Sequence, residues 1–124
     1  MRACVVARGY ISAAHKPSFS QLAGTLHGHD YLVKAAVCGP EDADYVVDAE
    51  ELQRRLASLL AEMHGKYLKS TREPDGPEPY YEVPCGPGGV TGECLARHIA
   101  RLIGATWVEV CEGGPTAPCF YYGP

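Results

Sequence analysis

Three histidines stand close together in the first quarter of the chain, within the stretch SAAHKPSFSQLAGTLHGHDY. They are His15, His27 and His29. Neutral imidazole nitrogens are common ligands of Zn²⁺, and three protein ligands leave a fourth position open for water or a substrate, as in catalytic zinc sites. The H-G-H spacing is a weak signal by itself, because a surface strand can carry ordinary histidines. A zinc site therefore requires that the fold bring His15 to the other two.

Two predicted strands can do this. Residues 2–13 are apolar and β-branched enough for a first strand, and residues 27–38, HGHDYLVKAAVC, read as a second. Alternate residues of a strand point to one face, so His27 and His29 project together, and His15 can reach them across an antiparallel pair. The residues predicted on this face of the second strand are His27, His29, Tyr31, Val33, Ala35 and Val37.

Two amphipathic helices are predicted next. The first begins after Asp48, which forms a capping-box-like start with Glu51, and ends at Gly65. The second begins after Thr91, a helix-capping residue, and ends at Gly104. Apolar residues recur at helical spacing in each segment. The predicted buried stripes are Leu52, Leu56, Leu59, Leu60 and Met63 in the first helix and Leu95, Ile99, Leu102 and Ile103 in the second.

The segment between the helices differs in composition. Residues 70–90 hold many of the prolines and glycines, so they are predicted to form a long loop and neither a helix nor a central strand. After the second helix, residues 106–112 and residues 117–122 predict two further strands joined by a Gly-Gly-Pro turn. The predicted order is strand, strand, helix, helix, strand, strand.

Length and charge narrow the possible functions. A chain of 124 residues with 46% hydrophobic residues can bury one modest core, so a single domain over residues 1–124 is expected. The 11 basic residues form no cluster that could neutralise a run of phosphates, which disfavours nucleic-acid binding. No segment approaches the roughly 20 apolar residues that span a bilayer. We therefore expect a soluble, cytoplasmic protein that binds neither nucleic acid nor a membrane.

Cysteine usage is high for a chain of this size. The six cysteines include no C-x-x-C pair, which argues against a zinc finger or a thioredoxin-like site. In a reducing cytosol we expect buried thiols that behave as small hydrophobic residues. Intracellular disulfides are expected only if the protein comes from a hyperthermophile.

Five segments carry a resemblance to a known family. ISAAH followed by AGTLHGHDY, then VVDAEEL, VTGECLA and VEVCEG, occur in order over nearly the whole chain. Together they resemble the 6-pyruvoyl-tetrahydropterin synthase and 6-carboxytetrahydropterin synthase family of pterin and queuosine biosynthesis. The ordered set is far more specific than H-G-H alone.

The resemblance implies a fold, an activity and a set of site residues. The fold is an α+β tunnelling fold, or T-fold, with a four-stranded antiparallel sheet and two helices inserted between strands 2 and 3. The activity is that of a zinc-dependent carbon–oxygen lyase acting on a pterin, in homo-oligomers (trimers or hexamers) with sites at subunit interfaces. The family's zinc ligands correspond to His15, His27 and His29, its pterin-anchoring glutamate to Glu112, and its substrate-contacting threonine to Thr91. Helix capping alone would also explain Thr91.

The sequence departs from the family pattern at the proton relay. Relatives that act on 7,8-dihydroneopterin triphosphate use a cysteine four residues before H-G-H, where this chain has Ala23. An alanine methyl group can neither take nor give a proton. The family's Asp-His pair aligns with His64 and Gly65, or, with a shift of one residue, with Met63 and His64. In either alignment the relay is incomplete.

Three explanations remain open for this departure. The protein can act on family substrates with another proton-transfer group: His64, Cys85 or a water made acidic by zinc. It can catalyse a different reaction on a pterin or a related bicyclic compound. It can also bind zinc and a pterin without turnover, as a paralogue that lost the synthase activity.

Overall fold

The structure is a computed structural model that describes residues 1–18, 20–21 and 24–124. Six strands form one sheet and two helices cover one of its faces. In chain order the elements are β1 (Arg2–His15), β2 (His27–Pro40), α1 (Ala49–Met63), β3 (Tyr67–Ser70), β4 (Tyr80–Val83), α2 (Gly92–Ile103), β5 (Trp107–Cys111) and β6 (Cys119–Tyr122). The strand order across the sheet is β4-β3-β1-β2-β5-β6.

The four strands predicted from the sequence form an antiparallel unit. β1 and β2 pair along their whole length, from Arg2 opposite Pro40 to His15 opposite His27. β5 pairs with β2, and β6 pairs with β5. Both helices lie between β2 and β5 in the chain, as predicted. β1 reaches His15, two residues beyond the predicted end of the first strand, so the first histidine belongs to the strand itself.

Two strands were not predicted. β3 and β4 are parallel to each other, and β3 joins β1 through one parallel bridge, Ala14 to Tyr67. The expectation of a continuous loop over residues 70–90 is therefore wrong, and the sheet is mixed. Pro79 and Pro84 flank β4 closely, but β4 lies at the edge of the sheet, where prolines outside the paired residues remove no ladder hydrogen bond.

The helices begin where their caps predict. The Asp48 carboxylate accepts hydrogen bonds from the backbone N–H groups of Glu50 and Glu51, and Thr91 Oγ1 accepts one from Cys94 N–H at 3.1 Å. The stripe predicted for α1 is buried against the sheet. In α2, however, Leu102 is 51% exposed, because the buried side of this helix includes Ala96 and Ala100 and is turned away from Leu102. Neither described helix is long and apolar enough to cross a membrane.

The face of the sheet opposite the helices carries an apolar strip. Its members are Val6, Tyr10 and Leu32, which are all exposed, and Tyr10 lies directly opposite Leu32 in the β1–β2 pair. On the covered face, alternate residues of the same strands, such as Ile11 and Val33, are fully buried. Arg8 and Lys34 lie opposite each other between Val6 and Tyr10, so the uncovered face of β1 and β2 carries both apolar and basic side chains.

The cysteines form disulfides, which corrects the expectation of reduced thiols. Cys4–Cys38 and Cys111–Cys119 each join residues directly opposite one another in neighbouring strands. Cys85–Cys94 joins the segment after β4 to the first turn of α2. The partners are brought together by strand register and helix packing. The spacing of the cysteines along the sequence therefore did not predict these pairs.

Candidate metal and ligand site

The end of the β1–β2 pair brings the three histidines together. His15 lies opposite His27, and His29 lies one alternate position further along the same face of β2. His15 Nε2 and His27 Nε2 are 2.9 Å apart, and one ring nitrogen from each of the three histidines falls within a cluster 4.8 Å across. Eleven residues lie between His15 and the H-G-H motif in the sequence, and strand pairing brings the two together.

Backbone carbonyls orient two of these imidazoles. His15 Nδ1 lies 2.9 Å from the Val90 carbonyl oxygen, and His27 Nδ1 lies 2.7 Å from that of Thr25. A carbonyl oxygen can only accept, so each Nδ1 carries the proton and each Nε2 presents a lone pair. Two lone pairs that face each other at 2.9 Å repel unless a cation lies between them. This carbonyl-to-histidine support is the usual outer shell of a metal site.

The protonation of the imidazoles also suits a metal. Burial, helped by the neighbouring imidazoles, lowers the pKa of His15 to about 4 against the opposing effect of the Val90 carbonyl. Burial likewise lowers the pKa of His29, against the Glu112 charge. Both rings are therefore neutral at neutral pH, the form that binds metal. His29 Nε2 is buried with no hydrogen-bond partner among the described residues, so the donor set fits a cation such as Zn²⁺.

Glu112 lies directly beside the histidines. Its Oε2 is 3.3 Å from His29 Nε2 and 3.8 Å from His15 Nε2, and its side chain is only 15% exposed. Because the imidazoles are neutral, these contacts are not ion pairs. The next residue, Gly113, allows the close approach, since a Cβ there would lie 2.7 Å from the Asp30 carbonyl oxygen. Glu112 is thus a half-enclosed acceptor at the site and not a solvated acid at a strand end.

Tyr31 forms the floor of the site. Its side chain is fully buried, and its ring packs edge-on against His15 and His29 with centroids 5.8 and 5.3 Å away. Its hydroxyl has no hydrogen-bond partner among the described residues. Burial and the Glu112 charge both raise the pKa of Tyr31 above its ordinary range. Sequence reasoning placed Tyr31 on the histidine face but assigned it no function.

Thr91 borders the same space. A cavity of about 240 Å³ is lined by His15, Thr91, Glu112 and Phe120, among others. Thr91 Oγ1 accepts the helix-capping hydrogen bond, which leaves its own O–H free to donate to a ligand. Capping and ligand contact are therefore compatible in one residue.

The structure does not bring His64 to the triad within one chain. His64 is exposed at the end of α1, where its Nδ1 accepts a hydrogen bond from Ser12 N–H at 3.1 Å, and it lines a cleft with Tyr10 and Leu60. The described residues that line the cavities at the triad do not include His64.

None of the other residues considered for the proton relay offers a titratable group. Met63, the other residue of the aligned pair, is buried in the core. Cys85 is bonded to Cys94 and so offers no thiol. Ala23 lies outside the described residues.

Comparisons with known proteins identify a family and a fold. The profile of the 6-pyruvoyl tetrahydropterin synthase family matches residues 4–123. A catalytic-residue mutant of the Plasmodium vivax 6-pyruvoyltetrahydropterin synthase superposes with a TM-score of 0.73 at 14% identity, covering 100% of this chain and 99% of the other. The Plasmodium falciparum enzyme gives 0.71 at 16%, covering 99% of each chain. The Caenorhabditis elegans enzyme gives 0.65 at 16%, covering 100% of this chain and 96% of its own. The comparison with curated proteins gave no match.

At these identities the solved structures establish the fold. Their agreement with this chain covers two helices and a curled mixed sheet over its whole length. The fold class predicted from the sequence is therefore confirmed, with six strands in the sheet where four were expected.

Proposed function

Because the chain belongs to the 6-pyruvoyl tetrahydropterin synthase family, we propose that it is a zinc-dependent enzyme acting on 7,8-dihydroneopterin triphosphate or a related pterin. The reaction would be triphosphate elimination or side-chain cleavage, with a non-standard proton relay, in pterin or queuosine/archaeosine-type biosynthesis. One observation carries the proposal: three converging imidazoles lie beside a shielded carboxylate, which shares a cavity with His15.

Each of these residues has a role in the proposal. His15, His27 and His29 hold the zinc, which when bound would polarise oxygens of the pterin side chain. Glu112 accepts hydrogen bonds from the ring amine and amide N–H groups, because a carboxylate offers two acceptor oxygens to paired donors. Thr91 contacts the substrate through its hydroxyl, and the buried walls exclude water from the ring.

The proton relay is proposed to use His64 from a neighbouring copy. Ala23 supplies no titratable group, and the disulfide removes Cys85 from consideration. His64 is an exposed imidazole at the surface, available to a site on another subunit. Its Nδ1 is occupied by Ser12 N–H, so Nε2 is the atom that would exchange a proton.

Two features support a homo-oligomer, either a trimer or a hexamer. The cavity of about 240 Å³ is smaller than the roughly 300–1,000 Å³ of typical ligand pockets, which suits a site that a second chain completes. The apolar strip of Val6, Tyr10 and Leu32 is a surface that another copy would cover. No membrane or nucleic-acid partner is proposed.

The direct test is turnover. Zinc-loaded protein is incubated with 7,8-dihydroneopterin triphosphate and, separately, with 7,8-dihydroneopterin, with and without an aldehyde trap, and products are identified by mass spectrometry. We expect a pterin product that disappears when the metal is removed by a chelator and returns when zinc is added. Absence of product from both compounds, together with saturable binding, would mean that the protein binds zinc and a pterin without synthase activity.

The placement of His64 predicts complementation between inactive variants. His64→Ala is expected to lower turnover by about 10²- to 10⁴-fold, the usual contribution of a general acid or base, while its zinc content stays at the wild-type level. His27→Ala is inactive for lack of metal. When the two variants carry different affinity tags, are co-expressed and are purified through both tags, the hybrid oligomers are expected to regain activity, because some sites then combine an intact triad with an intact His64.

The control is a sample in which the two variants are purified separately and mixed only in the assay. Hybrids no more active than this sample would mean that His64 does not act across a subunit interface. Unchanged kcat in His64→Ala would remove the residue from the mechanism altogether.

A second candidate function is a zinc- and pterin-binding paralogue without synthase activity. It is favoured by Ala23 at the position of the family's cysteine and by the distance of His64 from the triad within one chain. For either function we propose a cytoplasmic location. Three disulfides in that compartment would follow the pattern of intracellular proteins from hyperthermophiles.

A further inference from the structure

We propose that Tyr31 is a positioning residue whose hydroxyl donates a hydrogen bond to the Glu112 carboxylate and holds that carboxylate towards a bound pterin. The inference rests on the proposed function, in which Glu112 anchors the ligand. Tyr31 belongs to neither the metal ligands nor the ligand-binding residues predicted from the sequence. Three separate observations lead to it: its place in the sheet, its unsatisfied hydroxyl and the surroundings of Glu112.

Strand register makes Tyr31 and Glu112 neighbours. Leu32 of β2 pairs with Cys111 of β5, and the strands are antiparallel. Tyr31 and Glu112 each lie one residue beyond that pair, so they are cross-strand neighbours on the face that carries the histidines. The edge-on packing of the Tyr31 ring against His15 and His29 holds the ring in place beneath the site.

The hydroxyl of Tyr31 destabilises the fold, and no described contact compensates for it. It is fully buried and has no hydrogen-bond partner among the described residues. A buried, unsatisfied hydroxyl destabilises the folded state, whereas phenylalanine would fill nearly the same volume without that cost. A partner that becomes available during ligand binding would explain why the position holds tyrosine.

The Glu112 carboxylate is an acceptor that the Tyr31 hydroxyl could satisfy. Its described close contacts are the Nε2 atoms of His29 and His15. His15 Nε2 is an acceptor, because Nδ1 of that ring carries the proton and donates it in a hydrogen bond to the Val90 carbonyl oxygen. A carboxylate also only accepts. A tyrosine hydroxyl carries a proton and is able to donate it in a hydrogen bond.

The consequence concerns the direction of the carboxylate. A hydrogen bond from Tyr31 to one oxygen would fix the side-chain torsion of Glu112 and leave the remaining lone pairs for two adjacent ligand donors. This suits a heterocycle with a ring N–H beside an exocyclic amine, the donor pair of a pterin. Tyr31 would touch neither the ligand nor the metal and would act through Glu112.

Tyr31→Phe tests the inference, with Tyr81→Phe as the matched control. Tyr81 is half-buried, and its hydroxyl is 2.8 Å from His98 Nε2 and is therefore satisfied. The dissociation constant of 7,8-dihydroneopterin is measured by isothermal titration for zinc-loaded proteins, with zinc content and Tm recorded. We expect Tyr31→Phe to bind about tenfold more weakly, the effect of one hydrogen bond to a charged group, with full zinc and an unchanged or higher Tm. We expect Tyr81→Phe to lower Tm without changing the dissociation constant.

A double variant separates positioning from packing. In a Glu112→Gln background, Tyr31→Phe is expected to cause no further loss of affinity, because the group through which it acts is already changed. Equal affinity of wild type and Tyr31→Phe would overturn the inference, as would a tenfold loss that persists in the Glu112→Gln background. If wild-type protein shows no saturable binding of the pterin, the proposed function fails, and the role of Tyr31 fails with it.

Discussion

His27→Ala is expected to remove bound zinc and pterin turnover together. His27 supplies one of three converging nitrogens, and its Nε2 lies 2.9 Å from that of His15. With two protein ligands left, a buried site no longer meets the coordination that zinc requires. Purified variant and wild type are compared by inductively coupled plasma mass spectrometry after dialysis against metal-free buffer. We expect about one zinc per wild-type chain and almost none in the variant.

His98→Gln is the matched control for this loss. His98 is a half-buried histidine on α2 whose Nε2 forms a hydrogen bond with the Tyr81 hydroxyl. Glutamine can keep a hydrogen bond at that position. Its zinc content and activity are expected to equal those of the wild type. Full zinc in His27→Ala would contradict the ligand assignment. Lost zinc with retained turnover would keep the ligand assignment but exclude a zinc-dependent reaction.

Glu112→Gln is expected to weaken pterin binding by about 100-fold while zinc content stays unchanged. A hydrogen bond to a charged group contributes about 1.5–3 kcal/mol, and a factor of ten in affinity corresponds to about 1.4 kcal/mol. Glutamine keeps the size of the side chain but replaces one acceptor oxygen by an NH₂ group, which faces the ligand's own donors. Isothermal titration with 7,8-dihydroneopterin measures the change.

Glu109→Gln controls for the loss of a negative charge from the same strand. Glu109 lies on β5 three residues before Glu112, and strand alternation directs it to the other face of the sheet. Its affinity for the pterin is expected to match the wild type. If Glu112→Gln binds the pterin as tightly as Glu109→Gln does, Glu112 is not the ligand anchor.

The parts of this fold that follow local rules were predictable from the sequence. Apolar and β-branched composition predicted β1, local sequence pattern predicted β2, β5 and β6, and capping at Asp48 and Thr91 predicted where the helices begin. Strand alternation put His27, His29 and Tyr31 on one face. The short strands β3 and β4 escaped prediction, because four-residue strands next to prolines carry too weak a local pattern.

By itself, the sequence determined which residues share a strand face, where the helices start and that histidines and a glutamate were the chemical groups available. Only the tertiary structure decided what these groups contact. The Val90 and Thr25 carbonyls that orient the imidazoles, the place of Tyr31 beside Glu112, the three disulfides and the separation of His64 from the triad all depend on it. The reason is that local structure depends on neighbours along the chain, whereas most of these contacts join residues far apart in sequence, which only strand register and helix packing bring together.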